Sequence, residues 1–186
     1  MFQQKKHSGQ VRVICRTAIL TALYVLLTMV SVRAGNLRIT LASLPVVVCG
    51  VLFGPVQAGL VALLGEFLNQ MLSYGFSATT VLWLVPPMVR GLLVGMAGVQ
   101  CRKSETLLHH HPVWLYSVCL LAAVATTLCN TAVIYLDSRI YGYYTPGYVM
   151  GSFLLRLATG LVTAMVVTTV SVPLLRMLQR QLEKEH

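Results

Sequence analysis

The chain reads as an all-α membrane protein, a bundle of six transmembrane helices with both termini in the cytoplasm. Three observations carry that reading. Of 186 residues, 56% are hydrophobic and only 10% are charged, with a mean hydropathy of +0.75, so the polar surface is far too small to cover a water-soluble globule. The apolar residues fall in blocks of about 20, the length that crosses a hydrocarbon core of about 30 Å. Nine of the 14 basic residues (Lys5, Lys6, Arg12, Arg16, Arg102, Lys103, Arg176, Arg180 and Lys184) lie at the chain ends and in one interior segment, which marks those segments as cytoplasmic. Residues 1–186 then form a single integral membrane domain with short basic cytoplasmic tails at 1–13 and 176–186.

Ile14 to Val32 is the first span. It runs too long for a signal peptide, and the SVRAGN that follows lacks an A-x-A cleavage pattern, so a retained helix is expected. Arg33 to Thr40, with Arg33, Asn36 and Arg38, is a polar outer segment. Leu41 to Phe53 is apolar but short, and Gly54-Pro55 ends it and starts the next helix with proline in the first turn. A helical hairpin with a tight cytoplasmic turn follows from that dipeptide. Val56 to Tyr74 is the third span, with an outer loop holding Gly75, Ser77, Thr79 and Thr80. Val81 to Val99 is the fourth; Pro86-Pro87 inside it is expected to break or kink the helix, because two backbone donors are missing and the rings crowd the preceding turn. Gln100 to Pro112 is a cytoplasmic loop. Its three adjacent histidines, His109 to His111, cannot all face one metal from a regular helix and read as solvated. Val113 to about Leu136 is the fifth span. Asp137 to Tyr148 is an outer loop, and Val149 to Leu175 the sixth span. Tyr135, Tyr141, Tyr143, Tyr144 and Tyr148 suit an interfacial aromatic belt.

Several function classes are disfavoured. The excess of 14 basic over 5 acidic residues is accounted for by topology and accompanies no nucleic-acid-binding pattern, so no nucleic-acid partner is expected beside the lipid bilayer. Five dispersed cysteines without a CxxC pair indicate neither a disulfide framework nor a zinc site. There is no HExxH, GxSxG, P-loop or membrane aspartate pair, so no enzyme, metal or cofactor is expected and any energy source must come from elsewhere.

Three ionisable residues remain inside the predicted spans: Glu66, Arg90 and Arg156. Each is costly there and marks a candidate site. At 1.5 Å per residue, Glu66 lies about 18 Å above the cytoplasmic turn, with Arg90 about 13 Å and Arg156 about 10 Å below the outer face. A meeting point in the middle or outer half is expected. One reading is a buried Glu66–Arg90 pair that does nothing more. The other is a site for a small anion, since one acid and two arginines leave a positive surplus and an arginine fork suits a carboxylate or phosphate. Asn69 and Gln70, one turn after Glu66, are equipped either to read a nitrogen heterocycle or to serve as polar glue between helices. Small-xxx-small pairs at Ala18 and Ala22, Gly91 and Gly95, and Gly160 and Ala164 indicate close helix packing or docking of another subunit.

The stretch LRITLASLPVVVCGVLFGPVQAGLVALLGEFLNQML, followed by LWLVPPMVRGLLVGM, resembles the S components of energy-coupling-factor (ECF) vitamin transporters, most of all the folate-type branch. The similarity lies in Arg38-Ile39-Thr40, Leu44-Pro45, the Leu52 to Pro55 turn, Gly65-Glu66 and Arg90 to Leu92, over roughly the first hundred residues, with a weaker match at Arg156. Ala18 and Ala22 match the small-residue surface by which S components dock on the shared membrane subunit. The chain departs from the family's aspartate at Glu66 and from its single or absent proline at Pro86-Pro87. The resemblance implies a high-affinity substrate-binding subunit of a bacterial cytoplasmic-membrane importer, working with a transmembrane coupling subunit and two ATPase subunits. The expected ligand is a small anionic vitamin, folate first. Arg90 and Arg156 would hold carboxylates, Glu66 with Asn69 or Gln70 would read the heterocycle, and Arg38 would shape the entrance. Pantothenate, riboflavin, a queuosine precursor or cobalamin are the alternatives within the class. Outside it stand a self-contained secondary carrier, disfavoured by the lack of an inverted repeat, and a structural membrane subunit.

Overall fold

The computed structural model describes the backbone of residues 2–34, 37–103 and 112–184, and the side chains of 10–31, 40–102, 112–178 and 181. The chain runs α1 (Phe2–Met29), β1 (Val32–Ala34), β2 (Leu37–Ile39), α2 (Ser43–Phe53), α3 (Pro55–Ser73), α4 (Thr80–Lys103), α5 (Pro112–Ile140) and α6 (Pro146–Lys184). All six expected helices are present. The two strands pair antiparallel, Val32 with Ile39 and Ala34 with Leu37, where the sequence reading had only a polar outer segment. The run of three histidines at 109–111 lies outside the described residues.

Gly54 is the only residue between α2 and α3 and takes φ +94°, a left-handed value that a side chain rarely tolerates. Pro55 then opens α3, where its missing N–H costs nothing. Arg102 donates from Nη2 to the carbonyls of Val51 and Leu52, both at 2.8 Å, satisfying acceptors that the end of α2 leaves without helical partners. Arg16 lies 4.9 Å over the ring of Phe53 at the same turn. Two of the basic residues predicted to be cytoplasmic thus converge on the predicted cytoplasmic turn.

Helix α4 continues unbroken from Thr80 to Lys103 with Pro86 and Pro87 inside it. The prolines fall in its second turn, so the carbonyls of Leu82 and Trp83 are the ones left without their usual donors, and only the first turn of the helix is affected.

Helix α2 is apolar all round and buried from Ser43 to Val51, as expected of a helix enclosed by others. It packs on α4, α3, α1 and α6, while α4 also packs on α3 and α5, and α5 on α6. Leu44, Val47, Val48, Val94, Leu115, Val118 and Val167 form one core cluster, and Tyr24, Val46, Ala58, Val61 and Ala62 a second. The outward faces carry Ile19, Leu26, Val81, Leu121 and Leu154, each more than 60% exposed, an apolar periphery suited to lipid. Four helical stretches, Gln10–Met29, Thr80–Arg102, Pro112–Ile140 and Pro146–Leu178, are long and apolar enough to cross a membrane. At 1.5 Å per residue, α2 reaches only about 16 Å, so it crosses part of the bilayer and depends on the surrounding helices.

Candidate ligand-binding site

The three ionisable residues of the spans face different neighbours. Glu66 turns toward α1. Its Oε2 accepts a hydrogen bond from the Tyr24 hydroxyl at 2.9 Å, and its Oε1 accepts from the amides of Asn69 at 3.1 Å and Gln70 at 2.8 Å. The Asn69 carbonyl oxygen accepts in turn from Ser73 at 3.3 Å. The Tyr24 side chain packs against Gly65, where a Cβ would come within 2.5 Å of its ring. Glu66, Asn69 and Gln70 therefore come together as the sequence suggested: the two amides bond Glu66 within α3, and the Tyr24–Glu66 bond joins α3 to α1.

Arg90 lies at the junction of α2, α4, α5 and α6. Among the described residues it makes no ion pair with Glu66 or any other acid, so the buried-pair reading does not hold. The reason is helix rotation and register. Gly91 packs on the Ala58 backbone and Gly95 on Pro55, so Glu66, eight residues beyond Ala58, stands about 10 Å further along the helix pair than Arg90. Arg90 lines a narrow, partly open crevice with Ser43, Val47, Cys119, Ala122, Ala123 and Ala164. Its Nε donates to the Thr126 hydroxyl at 3.3 Å. Thr126, Ser43 and Cys119 were not singled out by sequence. Nothing local distinguishes them from other small residues of membrane helices, and only the long-range pairing of α5 and α2 with α4 brings them to Arg90.

Arg156 is half-buried on α6, eight residues or about 12 Å before Ala164 of the crevice wall. Below it Gly160 abuts Thr127 of α5. The side chain of Arg38, on β2, is outside the described part of the chain. At the same end of the bundle Arg139 lies over the rings of Tyr144 (4.7 Å) and Tyr135 (5.6 Å). Tyr143 stacks edge-on to Tyr148, and its hydroxyl donates to the buried Asp137 carboxylate. That hydrogen bond, with lesser help from desolvation and nearby charge, pushes the Tyr143 phenol up to about 12. Ala18 and Ala22 both lie on the exposed face of α1.

Residues 9–180 match the family model described as "ECF-type riboflavin transporter, S component". The chain belongs to this family. The S component assignment agrees with the architecture of two solved structures. ThiT from Listeria monocytogenes superposes with a TM-score of 0.71 at 17% identity, over 91% of this chain and 96% of that one. A protein described as the S component of a bacterial ECF transporter gives 0.65 at 18% identity, over 93% and 98%. At those identities the likeness is one of fold. A curated relative, a UPF0397 protein of Lactiplantibacillus plantarum, is 32% identical over 97 residues, 50% of this chain and 51% of the relative. The chain thus spans about half the length of that curated relative. As an S component the chain is a multi-pass protein of the bacterial plasma membrane.

Proposed function

We propose that this S component captures riboflavin from outside the cell in a site whose floor is the Arg90 crevice, and passes it to an ECF coupling module. One observation carries the reading: a guanidinium held inside the bundle, without an acid among the described residues, lining a crevice that is partly open. A charge so placed is costly unless something complements it. The carbonyl and nitrogen edge of an isoalloxazine ring offers adjacent acceptors matched to an arginine fork. The riboflavin-type family match supports choosing this vitamin first.

Folate is the second reading. It is favoured by Arg156, which stands above the crevice and would hold a second anionic group, and by the folate-like motifs around Arg38, Leu44-Pro45 and Arg90. An anionic ligand belongs to this reading, whereas riboflavin is neutral. Glu66, held by Asn69 and Gln70 within α3, enters either reading as the group that joins α3 to Tyr24 of α1.

The exposed Ala18 and Ala22 form the surface on which a transmembrane coupling subunit docks, with two ATPase subunits supplying the energy. The amino and carboxyl termini lie inside; the gathering of Arg16 and Arg102 at the α2–α3 turn supports that orientation.

The test is equilibrium dialysis of the purified protein against riboflavin, folate, pantothenate, thiamine and cobalamin. Saturable binding of riboflavin alone is expected. Selective binding of folate transfers the assignment to the second reading, and retention of none of the five overturns both.

A further inference from the structure

The Thr126 hydroxyl makes two hydrogen bonds of fixed direction. Its single proton goes to the Ala122 carbonyl at 2.6 Å, so only lone pairs are left to face Arg90. The Arg90 Nε, which can only donate, meets them at 3.3 Å. Several other threonines of α5 and α6 also bond the carbonyl four residues back, an ordinary habit of threonine in membrane helices. Thr126 differs in that its remaining acceptor capacity is used across helices on a charged group, at a position only 4% exposed.

An arginine grips a pair of acceptors either through Nε with one Nη or through both Nη groups. With Nε engaged by Thr126, the first mode is occupied. The two Nη groups carry no other hydrogen bond among the described residues. The crevice beside them is narrow, with room for about one water molecule, so only the tip of a ligand would meet the fork there.

We propose that Thr126 is a positioning residue that fixes the Arg90 fork end-on, so that the site selects ligands presenting two adjacent acceptors at one tip. A carboxylate, a phosphate, or the carbonyl and nitrogen edge of a pyrimidine-type ring meets that requirement. The ligand side of the inference rests on the vitamin-binding assignment; the geometry of Arg90 does not.

The experiment compares wild type, Thr126→Ser, Thr126→Val, Arg90→Ala and the Thr126→Val/Arg90→Ala double variant, full-length and in detergent, with riboflavin, riboflavin phosphate and folate as probes. Solvent exchange of the Arg90 Nε–H is followed in parallel by NMR on arginine-labelled protein. The proposal expects Thr126→Ser to bind within about twofold of wild type and Thr126→Val about tenfold more weakly, the size of one lost hydrogen bond to a charged group. Thr126→Val should cost nothing further once Arg90 is alanine. The Nε–H should be protected in wild type and Thr126→Ser and exchange freely in Thr126→Val. Equal weakening by Thr126→Val with and without Arg90, or unchanged Nε–H exchange, overturns the proposal. If wild type binds none of the probes, the vitamin assignment fails and the exchange comparison alone decides whether Thr126 positions Arg90.

Discussion

Replacing Gly95 by alanine tests the packing that sets the height of Arg90. A Cβ at Gly95 would come within 2.3 Å of the Pro55 Cα, 2.6 Å of its nitrogen and 2.9 Å of the Gly54 carbonyl carbon. The first distance is about 1 Å short of ordinary van der Waals contact, and every obstructing atom is backbone that cannot rotate aside. Overpacking of this kind costs about 3 kcal/mol at its upper end, and alanine returns about 1 kcal/mol of helix propensity, leaving a net loss of about 2 kcal/mol. For a chain of this size that lowers Tm by about 4 to 8 °C. The assay is thermal unfolding in detergent, read by thiol labelling of Cys49 and Cys119, which are 1% and 5% exposed. Gly151→Ala is the control, since nothing lies within 4 Å of a Cβ there, and it should unfold at or slightly above the wild-type temperature. Equal Tm values for Gly95→Ala and Gly151→Ala would refute the close α3–α4 contact.

Three further outcomes follow from the same geometry. Tyr24→Phe removes one of three donors to Glu66 and should cost about 1 kcal/mol in thermal unfolding while leaving vitamin affinity unchanged; a loss of affinity would return Glu66 to the binding site. Leucine at both Ala18 and Ala22 should spare ligand binding but stop uptake in vesicles carrying the complete transporter, and normal uptake would remove α1 as the docking face. The Tyr143 phenol, raised from 10 to about 12 by its hydrogen bond to Asp137, holds its proton more tightly folded than unfolded. Its contribution to stability is therefore complete below pH 10 and disappears as pH rises from 10 to about 12. Tyr143→Phe should flatten the fall in Tm across that interval, and an unchanged slope would show that the bond does not form in solution.

The helices were legible because their signals are local. Gly54-Pro55 specifies a turn by the chemistry of two residues, the spacing of Gly91 and Gly95 announces a close helix contact, and the apolar blocks give the span lengths. Pro86-Pro87 does not end α4 because its effect depends on depth: in the second turn two missing donors do not end a helix that its neighbours hold. The β1–β2 pairing was missed because its residues were read by their polarity alone. At the candidate site, the cost of burying Glu66, Arg90 and Arg156 was visible in the sequence, but the direction each faces was not. A rotation of about 100° per residue decides whether neighbouring positions on α4 meet α3 or the crevice, and Thr126 becomes relevant only through a partner 36 positions away.

The most direct test of the central claim, that this S component binds its vitamin on Arg90, is a fluorescence titration of wild type and Arg90→Ala with riboflavin, following Trp83 and Trp114. Saturable one-to-one quenching is predicted for wild type. Arg90→Ala should weaken it by about 30-fold or more, as expected for losing hydrogen bonds from a charged group, with no change in Tm. Equal affinity in the two proteins would contradict the account.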